Sequence, residues 1–401
     1  MKQGYLSQYF KGIAVKRLSA VEARPEVSRQ HEFNGVGRLT AVLGEAIPRK
    51  KFAATFFYLN DDDPEPIEAE GSVTWYDARE NHPTRSENRL YFPSTAVSDN
   101  AAEGDLLLIA RKPDDSLIVI VVEAESTMEN QLLWLMGEND IVHLGFSVKG
   151  EIENDQIKLD FISRLILEQV GIEATETDEN YLDQMLREFG GKFPDTATLS
   201  IFVRSLVRID PTEDPDSALV AWYEKEFILF RTLEEYFLSS KIKDGFPSVK
   251  EFLDLSLSVQ NRRKSRAGCA LQNHLTPIFQ AHKLRFETQG STEHKQKPDF
   301  LFPGAREYHD PLFPTGKLLM LGAKTSCKDR WRQVLAEAAK IKEKHLCTLE
   351  AGISENQTSQ MAAHGLRLVV PRQYHSTFNA KQREWLLSLK DFIDIARTTQ
   401  S

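Results

Sequence analysis

The sequence predicts an α/β protein built from two bodies, a β-rich N-terminal one and a mixed α/β C-terminal one. Three observations carry that expectation. Short apolar runs spaced by turn-forming clusters fill about the first 150 residues; an acidic stretch poor in large apolar side chains follows; beyond it, long segments with helical apolar spacing alternate with compact strands. A chain of 401 residues is also too long for one ordinary core and suits two domains with a connector.

In the first body, LTAVLG (39–44), KFAATFFYL (51–59), GSVTWYD (71–77), RLYFP (89–93), DLLLIARK (105–112) and SLIVIVVEA (116–124) read as strands. Clusters such as NDDDPEP (60–66) and PDDS (113–116) separate them as turns, and the spacing predicts a barrel or sandwich. MENQLLWLMGE (128–138) interrupts this pattern as a helix. The acidic loop at 60–70 lacks the ligand spacing and glycine of an EF-hand and reads as a solvated turn. After FISRLILEQV (161–170) the apolar pattern weakens, which puts an acidic linker at 176–190 between domains of 1–175 and 191–401.

In the second body, residues 218–242, 248–282 and 329–345 show helical spacing, whereas KPDFLFP (297–303), KLLMLGAK (317–324) and LRLVVP (366–371) read as buried strands. Ser326 and Asp329 fit a capping box, and Trp331, Val334, Leu335, Ala338 and Ile341 recur toward a core. No internal repeat interrupts this organisation.

Composition bounds the function. Hydrophobic residues make up 41% and charged residues 27%, and no apolar run is long enough to cross a bilayer. The first twenty residues mix charge with aromatics and lack the features of a secretory signal, so a cytoplasmic protein is expected. Cys269, Cys327 and Cys347 form neither a CxxC pair nor a zinc framework and read as free thiols. The formal net charge of −9 hides an asymmetry: Val259 to His345 holds 17 Lys and Arg against 8 Asp and Glu, a balance of +9 that leaves −18 elsewhere. A basic segment of this kind fits a polyanion such as DNA, although a solvated surface of mixed charge gives the same count.

Within that segment, Asp299 opens a strand after Pro298, Lys324 ends another, and Glu337 follows on the next helical stretch. Two carboxylates close together suit Mg²⁺, which polarises a phosphodiester and lowers the pKa of a bound water, while Lys324 stabilises charge at phosphorus. Alone, a Pro-Asp with a later Lys is common and reads as a turn cap and a snorkelling cation. Lys328, Asp329 and Arg330 change the balance, because Lys and Arg donate to guanine O6 and N7 and Asp accepts from cytosine N4. Arg262, Arg263, Lys264 and Arg266 form a basic stripe suited to phosphates or to a solvated helix face. Tyr308 reads as structural or phosphate-contacting, since the Asp, Lys and Glu set makes a tyrosine nucleophile unnecessary.

The run NRRKSRAG, then KPDFLFP, YHD, KTSCKDRWRQ and Glu337 closely resembles the catalytic domain of EcoRII-type restriction endonucleases, within the PD-(D/E)xK nuclease superfamily. That resemblance spans roughly residues 191–375 and includes the family's lysine followed 13 residues later by a glutamate, here Lys324 and Glu337. More loosely, KRLSA (16–20), His31 and TRSENR (84–89) resemble the same enzymes' N-terminal B3-like pseudobarrel. The resemblance implies a homodimeric, Mg²⁺-dependent type II endonuclease cutting double-stranded DNA at 5′-CCWGG or a related CC/GG-flanked site. It further implies autoinhibition relieved by effector DNA bound to the N-terminal domain through His31, Arg85, Glu87 and Arg89, and a cognate DNA methyltransferase as companion. A flipped-base pocket would use Phe227, with Tyr223 where relatives carry an arginine. Gln272 stands where relatives have a glutamate. Two other readings remain open at this point, a catalytically weakened DNA-binding regulator and an endonuclease directed to modified cytosine.

Overall fold

The computed structural model describes residues 4–24, 31–61, 66–138, 141, 145–150, 156–172, 174, 177–325, 330–350 and 353–401. Two compact units emerge: Met1–Ala174 with Ala351–Glu355 and Thr377–Asn379, and Thr175–Glu350 with Asn356–Ser376 and Ala380–Ser401. No helix among the described residues is long and apolar enough to cross a membrane.

The first unit holds one eight-stranded sheet: β1 (Gly12–Arg17), β2 (Glu32–Phe33), β3 (Lys50–Leu59), β4 (Ile67–Asp77), β5 (Asn88–Tyr91), β6 (Leu106–Arg111), β7 (Leu117–Val122) and β8 (Ser147–Lys149). Their order is β2-β5-β4-β3-β7-β6-β1-β8. Among the described strands of this sheet, β3 and β7 are the one parallel neighbour pair. The barrel-or-sandwich expectation thus resolves into a single mixed sheet. β7 is buried along its whole length, which explains its unbroken LIVIVV, whereas β4 alternates. The short helices α1 (Ala20–Ala23), α2 (Thr40–Leu43) and α3 (Ala96–Asn100) accompany the sheet, followed by α4 (Thr127–Leu135) and α5 (Phe161–Gln169).

Residues 39–44, expected as a strand, instead form a helical turn. Leu39, Val42 and Leu43 recur at helical spacing into the core beside Trp75, and Gly44 ends the turn at a φ of 75°. Each such fully buried side chain contributes on the order of 2 kcal/mol.

The second unit carries a five-stranded sheet: β9 (Glu287–Thr288), β10 (Phe300–Phe302), β11 (Leu319–Ala323), β12 (Lys344–Cys347) and β13 (Leu366–Val369), ordered β13-β12-β11-β10-β9. β9, β10 and β11 are antiparallel, whereas β11, β12 and β13 are parallel. Its helices are α6 (Leu182–Glu188), α7 (Thr196–Leu206), α8 (Pro215–Asp244), α9 (Val249–Ala281), α10 (Ala305–His309), α11 (Trp331–Leu335), α12 (Glu355–Ala363), α13 (Ala380–Trp385) and α14 (Leu389–Gln400). Phe279 of α9 meets Phe300 at 5.1 Å and Phe302 at 5.5 Å between ring centroids, which seats α9 on the sheet.

Two further expectations change. The stretch at 176–190 is not a plain linker: Met185 is fully buried, and Leu182, Leu186 and Phe189 pack with α7 and α8 as the apolar face of a helix. Residues 329–345 do not make one helix either. The helix stops at Leu335, Ala338 takes a left-handed φ of 49°, and Lys344 already belongs to β12.

Candidate active site

Asp299 immediately precedes β10, and the antiparallel register pairing Phe300 with Leu321 brings it beside the end of β11. Its Oδ2 accepts from the Ala323 amide at 2.8 Å and from Lys324 Nζ at 2.9 Å. Oδ1 accepts from Gln289 Nε2 at 3.0 Å. The sequence expectation that two neighbouring strands deliver a carboxylate and an ammonium to one place is met by an ion pair whose side chains are 12% and 25% exposed.

Glu337 joins them from the bend after α11. Burial pushes its carboxyl up to about 7; the nearby Asp299 charge adds to this, and Lys324 and Lys344 oppose it. Its Oε2 is buried without a hydrogen-bond partner. A carboxylate held against a second carboxylate with an unfilled acceptor is short of positive charge, and that fits a hard divalent cation. Asp299 and Glu337 would hold it. Among the described residues no group of three His, Cys, Asp or Glu forms a complete cage, so water and phosphate oxygens would complete the shell, as Mg²⁺ prefers.

The strand position two residues before the lysine is tightly packed. Successive strand residues alternate faces, so Gly322 shares the face of Lys324. A Cβ at Gly322 would lie 3.2 Å from Val334 Cγ2 and 3.3 Å from Leu346 Cδ1. A side chain at this strand position would press on Val334 and Leu346, which would have to give by a few tenths of an ångström, and α11, which carries Val334, leads directly to Glu337.

The other sequence candidates divide. Arg330 is exposed at the start of α11, whereas Lys328 and Asp329, with Ser326 and Cys327, lie outside the described residues. Lys264 is exposed; Arg262 lies 4.7 Å from the centroid of the Phe193 ring; Arg263 Nη2 pairs with Glu234 Oε2 at 2.7 Å. Arg266 must be corrected. It is buried, bonded to Glu226 at 2.8 Å and stacked 4.2 Å over Phe230, so it holds α8 to α9 and does not face a phosphate. Tyr308 is likewise fully buried, its hydroxyl donating to Glu293 and accepting from the Lys340 amide, which makes it structural. Tyr223 is buried beside Glu226, and burial first, then that charge, raises its hydroxyl pKa. Phe227, half-buried, lies under the Arg231 guanidinium at 5.4 Å, so the arginine near this ring comes from one turn further along α8. Gln272 is half-buried on α9.

In the first unit His31, Glu87 and Arg89 line one cleft of about 570 Å³, with Glu32 and Asn88. Arg89 bridges Glu87 at 2.7 Å and Glu32 at 3.1 Å, which raises its own pKa and lowers that of Glu87. The His31 Nδ1 atom is buried without a partner. Arg85 is exposed on the β4–β5 connection. Sequence reasoning missed Gln289, Glu293, Lys344 and Glu32, because nothing in their local pattern marks the distant groups they meet.

Comparison with known proteins bears on most of the chain. Residues 230–393 match the family model described as EcoRII C terminal. Over 329 residues the chain is 34% identical to the type II restriction enzyme EcoRII of Escherichia coli, covering 81% of this chain and 78% of that protein. Among solved structures, metal-depleted Ecl18kI in complex with uncleaved, modified DNA has a TM-score of 0.44 at 19% identity, over 56% of this chain and 85% of that one. The restriction endonuclease PspGI–substrate DNA complex has a TM-score of 0.43 at 16% identity, over 52% and 93%. With a third of its residues shared with EcoRII over four-fifths of its length, this chain belongs to the EcoRII family of type II restriction endonucleases and is a site-specific deoxyribonuclease.

Proposed function

We propose that this endonuclease makes Mg²⁺-dependent double-strand cuts at 5′-CCWGG or a related CC/GG-flanked site, using Asp299, Lys324 and Glu337. The observation that carries this reading is the 2.9 Å Asp299–Lys324 pair beside a buried, proton-retaining Glu337. When bound, the metal polarises the scissile phosphodiester and makes water a better nucleophile. Asp299, fixed by Gln289 and the Ala323 amide, presents a carboxylate of set direction. Lys324 holds its ammonium where charge develops on the phosphoryl oxygens, and keeps it there through Asp299. Glu337 gives up its proton to complete the carboxylate pair.

Base reading is assigned to Lys328, Asp329 and Arg330, and phosphate contacts to Arg262, Arg263 and Lys264. Phe227 is the ring of a flipped-base pocket. A twofold DNA site cut on both strands needs two such centres, which supports a homodimer. Plasmid DNA with Mg²⁺, and with added short duplex carrying the site, tests the reading: discrete fragments are expected, and end sequencing gives the site. Tight binding with no fragments under any of these conditions would leave a regulator instead, and fragments only from methylated plasmid would leave a modified-cytosine enzyme.

The first unit is proposed as a B3-like effector-binding domain, with His31, Glu87 and Arg89 in the cleft and the exposed Arg85 two residues before Glu87. Its Arg89 is prepaid in orientation by Glu32 and Glu87. Arg89→Ala is expected to raise the effector-duplex concentration for half-maximal activation about tenfold, the usual loss for one charge-assisted hydrogen bond. An unchanged half-activation concentration in a titration of added duplex would remove the cleft from this role.

A further inference from the structure

The turn that carries Glu337 is tied down from both sides. On its amide side, Glu293 Oε2 accepts from Ala339 N at 3.2 Å, and the Tyr308 hydroxyl accepts from Lys340 N at 3.1 Å while donating to the same Glu293 oxygen. Lys340 Nζ returns to the Tyr308 carbonyl at 2.7 Å. On its carbonyl side, buried Lys344 donates to Ile341 O at 2.7 Å and to Ala338 O at 3.3 Å. These bonds replace the ones a continuing helix would make, and they hold Ala338, next to Glu337, at a φ of 49°. Gln289, His294 and Lys295, all in the arm between β9 and β10, have φ of 55°, 54° and 60°. Non-glycine residues stay in this region only where their surroundings over-determine them.

The same arm reaches both carboxylates. Gln289 donates to Asp299, and Glu293 grips the Glu337 turn. Tyr308 is fully buried, so its hydroxyl is a fixed post between the arm and the turn. We infer that Glu293 and Tyr308 are positioning residues for the nuclease centre, clamping the Ala338–Lys340 turn so that Glu337 stands at a fixed distance from Asp299. This rests on the reading of Glu337 as a metal ligand. Groups that orient a ligand without touching the metal typically change metal affinity about 10- to 100-fold when removed.

The test uses the full chain and two readouts, calorimetric titration with Mn²⁺ alone and the Mg²⁺ concentration for half-maximal plasmid cleavage. Tyr308→Phe and Glu293→Ala are each expected to weaken Mn²⁺ binding about tenfold and to raise the Mg²⁺ midpoint similarly, with metal-free binding to site-containing duplex unchanged. Glu293→Gln keeps an acceptor for Ala339 and Tyr308 and is expected to stay near wild type. Should Tyr308→Phe fail to fold, the half-exposed Glu293 variants decide the matter. Wild-type Mn²⁺ affinity in Glu293→Ala, with weakened affinity in Glu337→Gln, overturns the clamp alone. Equal loss in Glu293→Gln and Glu293→Ala also overturns it, since the carboxylate would then act through charge. Unchanged Mn²⁺ binding in Glu337→Gln overturns both the clamp and the underlying role of Glu337.

Discussion

Lys324→Ala is expected to lower the single-turnover cleavage rate about 1000-fold, equivalent to roughly 4 kcal/mol of transition-state stabilisation, while sequence-specific binding survives. Among the described residues Asp299 holds the ammonium, which sits partly exposed at the C-terminal end of β11, so its removal leaves no cavity in the core. Asp299 keeps its bonds to the Ala323 amide and Gln289, so the strands remain in register. The loss therefore falls on the chemical step. Rapid-mixing cleavage beside equilibrium binding in metal-free buffer separates the two quantities. Cleavage within tenfold of wild type would mean that Lys324 is a structural counter-ion and would remove the proposed mechanism.

Glu337→Gln is expected to be nearly as damaging to cleavage and, unlike Lys324→Ala, to stabilise the metal-free protein above pH 7. The carboxyl titrates at about 7 in the folded chain, above its ordinary value of 4.5, chiefly because it is buried. A raised acid pKa gives stability that is full below about 4.5 and is lost as pH rises through about 7. Metal-free protein thus weakens between about pH 4.5 and 7 by up to about 3 kcal/mol from this group, and the amide removes that slope. Urea unfolding in EDTA at about pH 5 and about pH 8 measures it. In the wild type, metal affinity is expected to fall about tenfold per pH unit below 7, because one proton must leave before the carboxylate can bind. Parallel pH profiles for wild type and Glu337→Gln would show that the group titrates normally.

How much of this was legible in the sequence follows from how local each signal was. Asp299 opened one short apolar run and Lys324 closed another, and strand periodicity was enough to bring them together at neighbouring strand ends. Glu337 was legible as a partner, but not its path: helical spacing runs on through Ile341, and only tertiary bonds from Glu293, Tyr308 and Lys344 stop the helix at Leu335. Arg266 and Arg262 looked alike in the stripe because charge shows no helix face; α8 supplies Glu226, which takes Arg266 inside. At 176–190 acidity masked Leu182, Met185, Leu186 and Phe189, whose spacing was helical all along. The order of the eight strands, with β3 beside β7, depends on pairings far apart in sequence, which no short window contains.

Gly322 leaves this lineage little freedom to rearrange its chemistry. With Val334 3.2 Å from where a Cβ would begin, an aspartate or glutamate at position 322 would need Val334 and Leu346 to yield by a few tenths of an ångström. An acid at position 322 is accommodated most readily beside a smaller residue at position 334, which opens the space it fills. Either change alone costs packing while Glu337 still supplies the second carboxylate, so the present arrangement is the one that selection on stability retains.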